Sequence, residues 1–468
     1  MSKKNIILST DSYKIGAHHN MYPPGTRGIY SYLEARNTAR WDETVFFGLQ
    51  YILKNMFLGR VVTQEKIDEA ETLCLAHLGP GAFNKAGWEH ILNKHDGRLP
   101  VMIKAVPEGM VVPKDNVMLT ILNTDKECEW LTSYLETLLS QVWYPSTVAT
   151  LSREVKRILK AYLGMTSDDV SSLLFKLHDF GARGVSTMSG AEIGGLAHLV
   201  NFMGTDTLAA IVCARDYYNA PRDFSDIAFS VPATEHSIMT SYGREGEIRL
   251  LGEILAKYPA GILSVVGDSY DIYRFVDEYM GKIYKEQILK RDGVFVVRPD
   301  SISPEHRTPG EQVLWILQSL YHNFGGEINS KGYKVLNPKV RVLWGDGLSI
   351  DSISETLAFV ELNKFSTDNI ATFGMGGGLL QDVNRDVQRF AFKCSSQLRD
   401  GTWHDIRKQP RDVYKASKAG RLKLIKVGEE FKTVLISEEG EDLLETVFVD
   451  GQLIRDENFT DVRKRAEL

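Results

Sequence analysis

Seven positions between residues 179 and 376 carry chemistry-bearing or phosphate-compatible residues: Asp179, Asp206, His236, Asp268, Asp300, Asp346 and Gly376. Each closes a short, largely apolar run. Three are acids in turn-like contexts: Asp268 in GDSYD, Asp300 in RPDS and Asp346 in GDG. Carboxylates so placed accept hydrogen bonds from vicinal ribose hydroxyls and ligate Mg²⁺ through water. A helix N-cap is the ordinary alternative for any single Asp, and three in register weaken it. His236 follows Glu235 in ATEHS, and its imidazole is either a structural group or a nucleophile toward phosphorus. The run Gly374-Met375-Gly376-Gly377-Gly378 follows an apolar stretch and leads into a helical one. Glycines there let backbone N–H groups approach a phosphate; a tight turn is the alternative. No Lys-Ser/Thr follows, so it is not a Walker A loop.

A second cluster is basic. Residues 385–426 hold 12 Lys/Arg against 4 Asp/Glu, a local charge of +8 within a chain of net −6. Arg385, Arg389, Lys393, Arg407, Lys408, Lys415, Lys418 and Arg421 belong to it. Few aromatics interleave, and the rest of the chain sums to −14. A small polyphosphate fits this pattern better than nucleic acid, with a solvated face as the alternative for about half of these side chains.

The elements that must position these residues follow from spacing. The seven positions lie 27, 30, 32, 32, 46 and 30 residues apart, and one βα unit takes about 30 residues. Seven units in series predict an α/β fold, an incomplete TIM-like (β/α) barrel with its site at the strand ends. Around it the sequence predicts a buried helix over 46–58 and short strands over 101–121 about Pro107-Glu108-Gly109. It also predicts a helix over 129–162 broken at Pro145. The resulting division is an N-terminal α+β domain (1–150), the barrel (151–384) and a C-terminal segment (385–468) that returns to pack with the N-terminal domain.

Composition is that of an ordinary globular enzyme: 468 residues, 43% hydrophobic and 25% charged. Cys74, Cys128, Cys213 and Cys394 are dispersed, with no CxxC pair. This argues for a reducing compartment and against a structural zinc. No apolar stretch approaches the roughly 18 residues of a membrane span. The opening MSKKNIILSTD has too short an apolar run for a signal peptide. A cytoplasmic protein, bound neither to membrane nor to nucleic acid, is the expectation.

From Asp11-Ser12-Tyr13-Lys14 to the C-terminus the chain closely resembles the nicotinamide phosphoribosyltransferases, a type II phosphoribosyltransferase family. The carrying segments are TDSYK, YPPGT, YSYLEAR, GLQYIL, HDFGARGVS, AHLVNFMGTDT, SVPATEHS, SVVGDSYDIY, VRPDS, NSKGYKVL, GMGGGLLQ, FKCS and KAGRL. The resemblance implies a pentosyltransferase of NAD salvage. It would form nicotinamide mononucleotide and pyrophosphate from nicotinamide and 5-phosphoribosyl-1-pyrophosphate. Mg²⁺, a homodimer with shared active sites, and ATP hydrolysis coupled through a phosphohistidine are implied as well.

Carried to this sequence, the resemblance implies that Phe180 stacks on the pyridine ring, and Tyr13 of the partner subunit on its other face. Asp206 accepts from the carboxamide nitrogen and Ser264 lies near the amide. Arg183 and Arg298 line the base and phosphate region, and Asp300 holds ribose hydroxyls. Gly345, Asp346, Gly376 and Gly377 wrap the 5-phosphate. Arg36, Arg385, Lys393, Lys408 and Lys415 bind pyrophosphate, some in trans. His236 is the phospho-acceptor, with Asp268 as its partner. Ile302, Ala182 and Ala391 depart from the family pattern and bear on loop geometry and phosphate detail. The nearest rival is a nicotinate phosphoribosyltransferase, against which Asp206 argues because it would repel a carboxylate. More distant are a barrel sugar-phosphate isomerase or aldolase, which often needs a lysine or a metal cluster at a strand end, and a non-catalytic barrel scaffold.

Overall fold

The structure is a computed structural model that describes residues 4–409 and 416–468. Lys415 lies outside the described residues. The chain divides into two compact units. The first gathers the described residues of Met1–Thr150, Cys213–Ala220 and Asn384–Glu467. The second gathers Leu151–Val212, Pro221–Val383 and Leu468. Residues 213–220 thus group with the first unit, not with the rest of the 151–384 segment. Within that unit the Tyr218 hydroxyl donates to Glu108 Oε2 at 2.8 Å, and Gln50 Nε2 donates to the Tyr217 carbonyl at 2.6 Å.

The first unit is built on a seven-stranded sheet. Thr26–Ala35 pairs antiparallel with Phe390–Arg399 on one side and Val117–Asn123 on the other. Val101–Ala105 and Glu445–Val449 extend it. Every residue of Thr26–Ala35 except Arg27 is buried, as a central strand covered on both faces requires. Trp88, Trp130 and Tyr134 pack edge to face beneath it, Trp88 and Trp130 at 4.9 Å between ring centroids. Pro145 does not break a helix here. The chain turns before it, and Pro145 sits in the first turn of the Trp143–Thr166 helix, where a missing N–H costs nothing because that hydrogen has no intrahelical acceptor.

The second unit holds a six-stranded, all-parallel sheet: Gly204–Thr205, Leu177–Asp179, Ile370–Met375, Val340–Trp344, Phe295–Arg298 and Leu263–Val266, in that order. Leu263–Val266, Phe295–Arg298 and Val340–Trp344 are almost wholly buried, which is why LSVV, FVVR and VRVLW read as largely apolar runs. The helices Met188–Leu199, Pro309–Phe324 and Ile350–Leu362 follow strands and begin at the hydroxyl caps Thr187, Thr308 and Ser349.

One of the seven predicted strands, that within FSVPATEHS, is not a regular strand. Phe229 and Ala233 make isolated parallel bridges to Gly204 and Ser264. Pro232 lacks an N–H and interrupts any continuous ladder. The segment still bonds both edge strands: Thr205 N donates to the Phe229 carbonyl at 3.2 Å, and Ser264 N to the Pro232 carbonyl at 3.0 Å. Among the described residues no helix is long and apolar enough to cross a membrane.

Candidate active site

The carboxyl ends of the parallel strands open into two cavities of the second unit. An inner one of about 390 Å³ runs among the strands, lined by residues such as Phe175, Phe229, Ser264, Val296 and Thr372. An outer one of about 830 Å³ is lined by Arg183, Asp300, Gly345, Gly376, Gly377 and their neighbours. Phe180, Asp206, Ala233 and Arg298 line both and so mark the junction.

Phe180 follows the Leu177–Asp179 strand, and its N–H donates to the Met375 carbonyl at 3.0 Å. Its ring lies against Gly374, where a Cβ would come within 2.1 Å of ring carbon Cε2; at Gly345 the corresponding approach is 3.6 Å. Glycine at 374 is therefore what lets the ring sit on the strand. The Arg298 guanidinium stands 5.7 Å from the ring centroid and His178 packs at 5.1 Å. Arg298 Nε is buried without a partner among the described residues, and its Nη2 approaches Asp300 Oδ2 at 3.5 Å. An aromatic face beside a guanidinium with one N–H unspent can hold a planar ligand that carries a hydrogen-bond acceptor.

Asp206 is held by two donors on one oxygen. His178 Nε2 lies 2.8 Å from Oδ1, and the Ser230 hydroxyl donates to the same oxygen at 2.6 Å. Among the described residues nothing bonds Oδ2. Burial pushes the carboxyl up, but the bonds from His178 and Ser230 outweigh it and leave the group below the ordinary carboxylate range. It is an ionised acceptor with an oxygen to spare.

Asp268, 6% exposed at its side chain, organises the acidic side. Oδ1 lies 3.1 Å from His236 Nε2; Oδ2 accepts from the Asp300 N–H at 2.9 Å and the Ser301 hydroxyl at 2.5 Å. His236 Nδ1 in turn lies 3.9 Å from Asp300 Oδ2. His236, Asp268 and Asp300 thus form one contiguous group, although only Asp300 of the three lines the outer cavity. Asp346 does not line it either. Its carboxyl is raised by burial, then by the charges of Asp300 and Asp268, which records a local excess of negative charge. That excess fits a divalent cation. Among the described residues these acids do not converge as a three-ligand cluster, so water-mediated contact is the mode they suit, the usual one for Mg²⁺.

Gly376 and Gly377 line the outer cavity with open space where a Cβ would stand, apart from ordinary contacts. Gly378 has no such room, since a Cβ would meet the Leu348 carbonyl at 2.2 Å. Arg183 and Ala182 line the outer cavity and Ser264 the inner one. Asp179 is structural: fully buried, it accepts from the Gly181 N–H at 2.7 Å and the Thr205 hydroxyl at 3.1 Å.

Tyr13, Arg36, Arg385, Lys393 and Lys408 belong to the first unit. Tyr13 is 64% exposed on the Ser12–Met21 helix. Arg36, Arg385 and Lys408 stand close enough to Lys393 to act on it. Its amine is lowered by burial; Glu136 opposes this, and those three cations add to it. Arg36 Nε is buried without a partner among the described residues. Sequence reasoning assigned no role to His178 or Ser230. The signal for His178 was present: it precedes Phe180 by two residues, and strand alternation puts such residues on one face.

Fold and site together define an α/β protein whose ligand pocket opens at the carboxyl ends of parallel strands. The chain belongs to the nicotinate phosphoribosyltransferase (NAPRTase) family, whose model matches residues 175–452, and the nicotinamide phosphoribosyltransferase N-terminal domain matches residues 5–103. It is 46% identical to the nicotinamide phosphoribosyltransferase of Xanthomonas campestris pv. campestris, over 99% of this chain and 98% of that one. It is 32% identical to the protein of the same name from Acinetobacter baylyi, over 98% and 97%. Among solved structures it resembles the nicotinate-nucleotide pyrophosphorylase of Pyrococcus furiosus (TM-score 0.62, 15% identity, 100% and 96% covered). It also resembles human nicotinic acid phosphoribosyltransferase (TM-score 0.54, 14% identity, 98% and 92% covered). At those identities the likeness is one of fold.

Proposed function

We propose that this protein is a nicotinamide phosphoribosyltransferase, joining nicotinamide to the phosphoribosyl group of 5-phosphoribosyl-1-pyrophosphate with release of pyrophosphate. The observation that carries the choice of base is Asp206, fixed by His178 and Ser230 on one oxygen beside Phe180 and Arg298. A carboxamide offers two N–H donors to such an acceptor, and nicotinate offers none.

In this reading Phe180 supports the pyridine ring, Asp206 takes the amide N–H, and Arg298 or Ser264 meets the amide carbonyl. The ring nitrogen then faces the sugar carbon. As the N–C bond forms, the bond from that carbon to the pyrophosphate oxygen breaks, and the oxygen leaves with the electron pair. Positive charge builds on the ribose in between, and the Asp300 carboxylate, oriented through its own N–H by Asp268, stabilises it. Gly376 and Gly377 give a 5-phosphate close access to the backbone. Mg²⁺ supplies charge neutralisation for the departing pyrophosphate when bound, and Asp300 and Asp346 would hold it through water.

The architecture proposed is an incomplete TIM-like barrel, with segment 229–234 joining its two edge strands, and an α+β domain made of the N- and C-terminal segments. The functional form proposed is a cytoplasmic homodimer with shared active sites. Four dispersed free cysteines support the compartment. ATP coupling through His236 rests on its contact with Asp268, which can orient the imidazole for phosphoryl transfer.

One experiment tests the function. Purified protein is given the phosphoribosyl donor, Mg²⁺ and equimolar nicotinamide and nicotinate, with and without ATP. Nicotinamide mononucleotide is the expected product, with acid-labile phosphate on His236 when ATP is present. Nicotinate mononucleotide as the main product overturns the base assignment; no labelled histidine overturns the ATP role alone.

A further inference from the structure

The first unit carries a cluster that the transferase reading does not use. His90 lies on the Lys85–Lys94 helix, and His95 is the residue that ends it, its N–H donating to the Ile91 carbonyl at 3.1 Å. Asp125 follows the Val117–Asn123 strand and is 7% exposed. Both imidazoles present Nε2 to the same oxygen, Asp125 Oδ2: His90 at 2.9 Å and His95 at 2.7 Å. One nitrogen from each ring and one carboxylate oxygen lie within 4.8 Å of one another. The carboxylate is fixed from behind, Oδ1 accepting from the Glu127 N–H at 3.0 Å and the Asp125 carbonyl accepting from Asn123 Nδ2 at 2.8 Å. Both rings remain partly open to solvent.

We propose that His90, His95 and Asp125 bind one divalent transition-metal ion of the zinc class. Two imidazole nitrogens and one carboxylate oxygen are the three-ligand set such ions take, leaving a fourth position for water. Zn–N and Zn–O bonds of about 2.0–2.2 Å place tetrahedral ligands roughly 3.3 Å apart, so the two N···O separations need open by only about half an ångström. Each ring changes tautomer on binding. The hydrogen now on Nε2 is lost to water, Nδ1 takes one up, and the freed Nε2 lone pair binds the metal. No net proton leaves a neutral ring. The absence of paired cysteines argues only against thiolate zinc, and this site needs none.

A third donor makes the proposal specific. Lys94 Nζ lies 2.8 Å from the same Asp125 Oδ2, on a side chain 58% exposed. Its ammonium is a resident cation where the metal would sit, and it must swing into solvent for the metal to enter. If the cluster were only a hydrogen-bonded clasp, removing Lys94 would have no reason to create affinity for a metal.

The test uses the full-length protein, freed of metal by a chelator and held in excess Mg²⁺ so that the carboxylates of the transferase pocket are occupied. Co²⁺ is titrated by its visible absorption and Zn²⁺ by calorimetry. Wild type is expected to take one ion per chain with a tetrahedral cobalt spectrum. His90→Ala and His95→Ala should each weaken binding by at least ~10-fold, and Lys94→Met should tighten it. His95→Gln, with its fold checked by circular dichroism, guards against a loss caused by misfolding. No stoichiometric binding, binding that survives both histidine substitutions, or unchanged affinity in Lys94→Met overturns the proposal.

Discussion

Asp206 commits one carboxylate oxygen to His178 and Ser230 and keeps the other for a ligand. Nicotinate bound in the amide's place would set two carboxylates about 3 Å apart, a repulsive pairing unless one takes a proton. The Asp206 side chain is 50% exposed, and once a bound ring covers it a mismatch of that kind costs several kcal/mol, so discrimination on the order of 10³-fold is expected. Asp206→Asn removes the charge and can turn an NH₂ toward a carboxylate. It should lower kcat/KM for nicotinamide and raise the relative use of nicotinate, measured as the ratio of the two specificity constants at one pH. An unmoved ratio sinks the assignment. Asp206 was visible in the sequence as a strand-end marker, and Phe180 and Arg298 were named through the family resemblance; the two groups that orient Asp206 were not seen. Ser230 lies 24 residues away in an irregular segment, and no periodicity pairs it with Asp206. His236 and Asp268 were visible as successive strand-end markers, and the structure sets them in contact.

At the scale of elements, the strand ends owe their shape to a few backbone positions. Gly374 is the sharpest case. Its φ is unremarkable, so the constraint is space: any Cβ drives into the Phe180 ring. Gly374→Ala should displace the ring, not unfold the sheet, since overpacking of this kind costs about 1–3 kcal/mol. The expected result is a raised KM for nicotinamide with a cooperative melt retained. Normal KM would show that Phe180 does not support the base. Element order was legible because burial on both faces makes the longer parallel strands short apolar runs. What misled was proline. Pro145 looked like a break and is a helix start, because the first turn tolerates a missing N–H. Pro232 lay inside an expected strand, and the chain there makes only single bridges. Residues 213–220 were assigned by sequence position to the central segment, whereas Tyr218 reaches a buried acid of the first unit; local pattern carries no trace of a contact 110 residues away.

At the scale of the molecule, charge is sorted. The outer cavity of the second unit is lined by Asp206, Glu235, Asp300 and Asp382 with Arg183 and Arg298 as its cations. The first unit gathers Arg36, Arg385, Lys393 and Lys408, whose mutual repulsion adds to burial in lowering the Lys393 amine. A leaving pyrophosphate carries more negative charge than two arginines match, and the proposed homodimer answers that need by bringing one subunit's cations and its exposed Tyr13 to its partner's cavity. Two-fold symmetry then gives two equivalent sites, each drawing on both chains. Tyr13→Ala damages the donated half of a site, and Asp300→Ala the receiving half. Each homodimer should be nearly inactive. In a mixed dimer one site carries both lesions and the other carries neither. Random reassortment of equal amounts makes about half the dimers mixed, so roughly a quarter of wild-type activity per total site should return. The measurement is nicotinamide mononucleotide formation after co-refolding or co-expression, with heterodimers quantified by differential tags. Heterodimers without activity would mean that Tyr13 serves the cavity of its own chain or none.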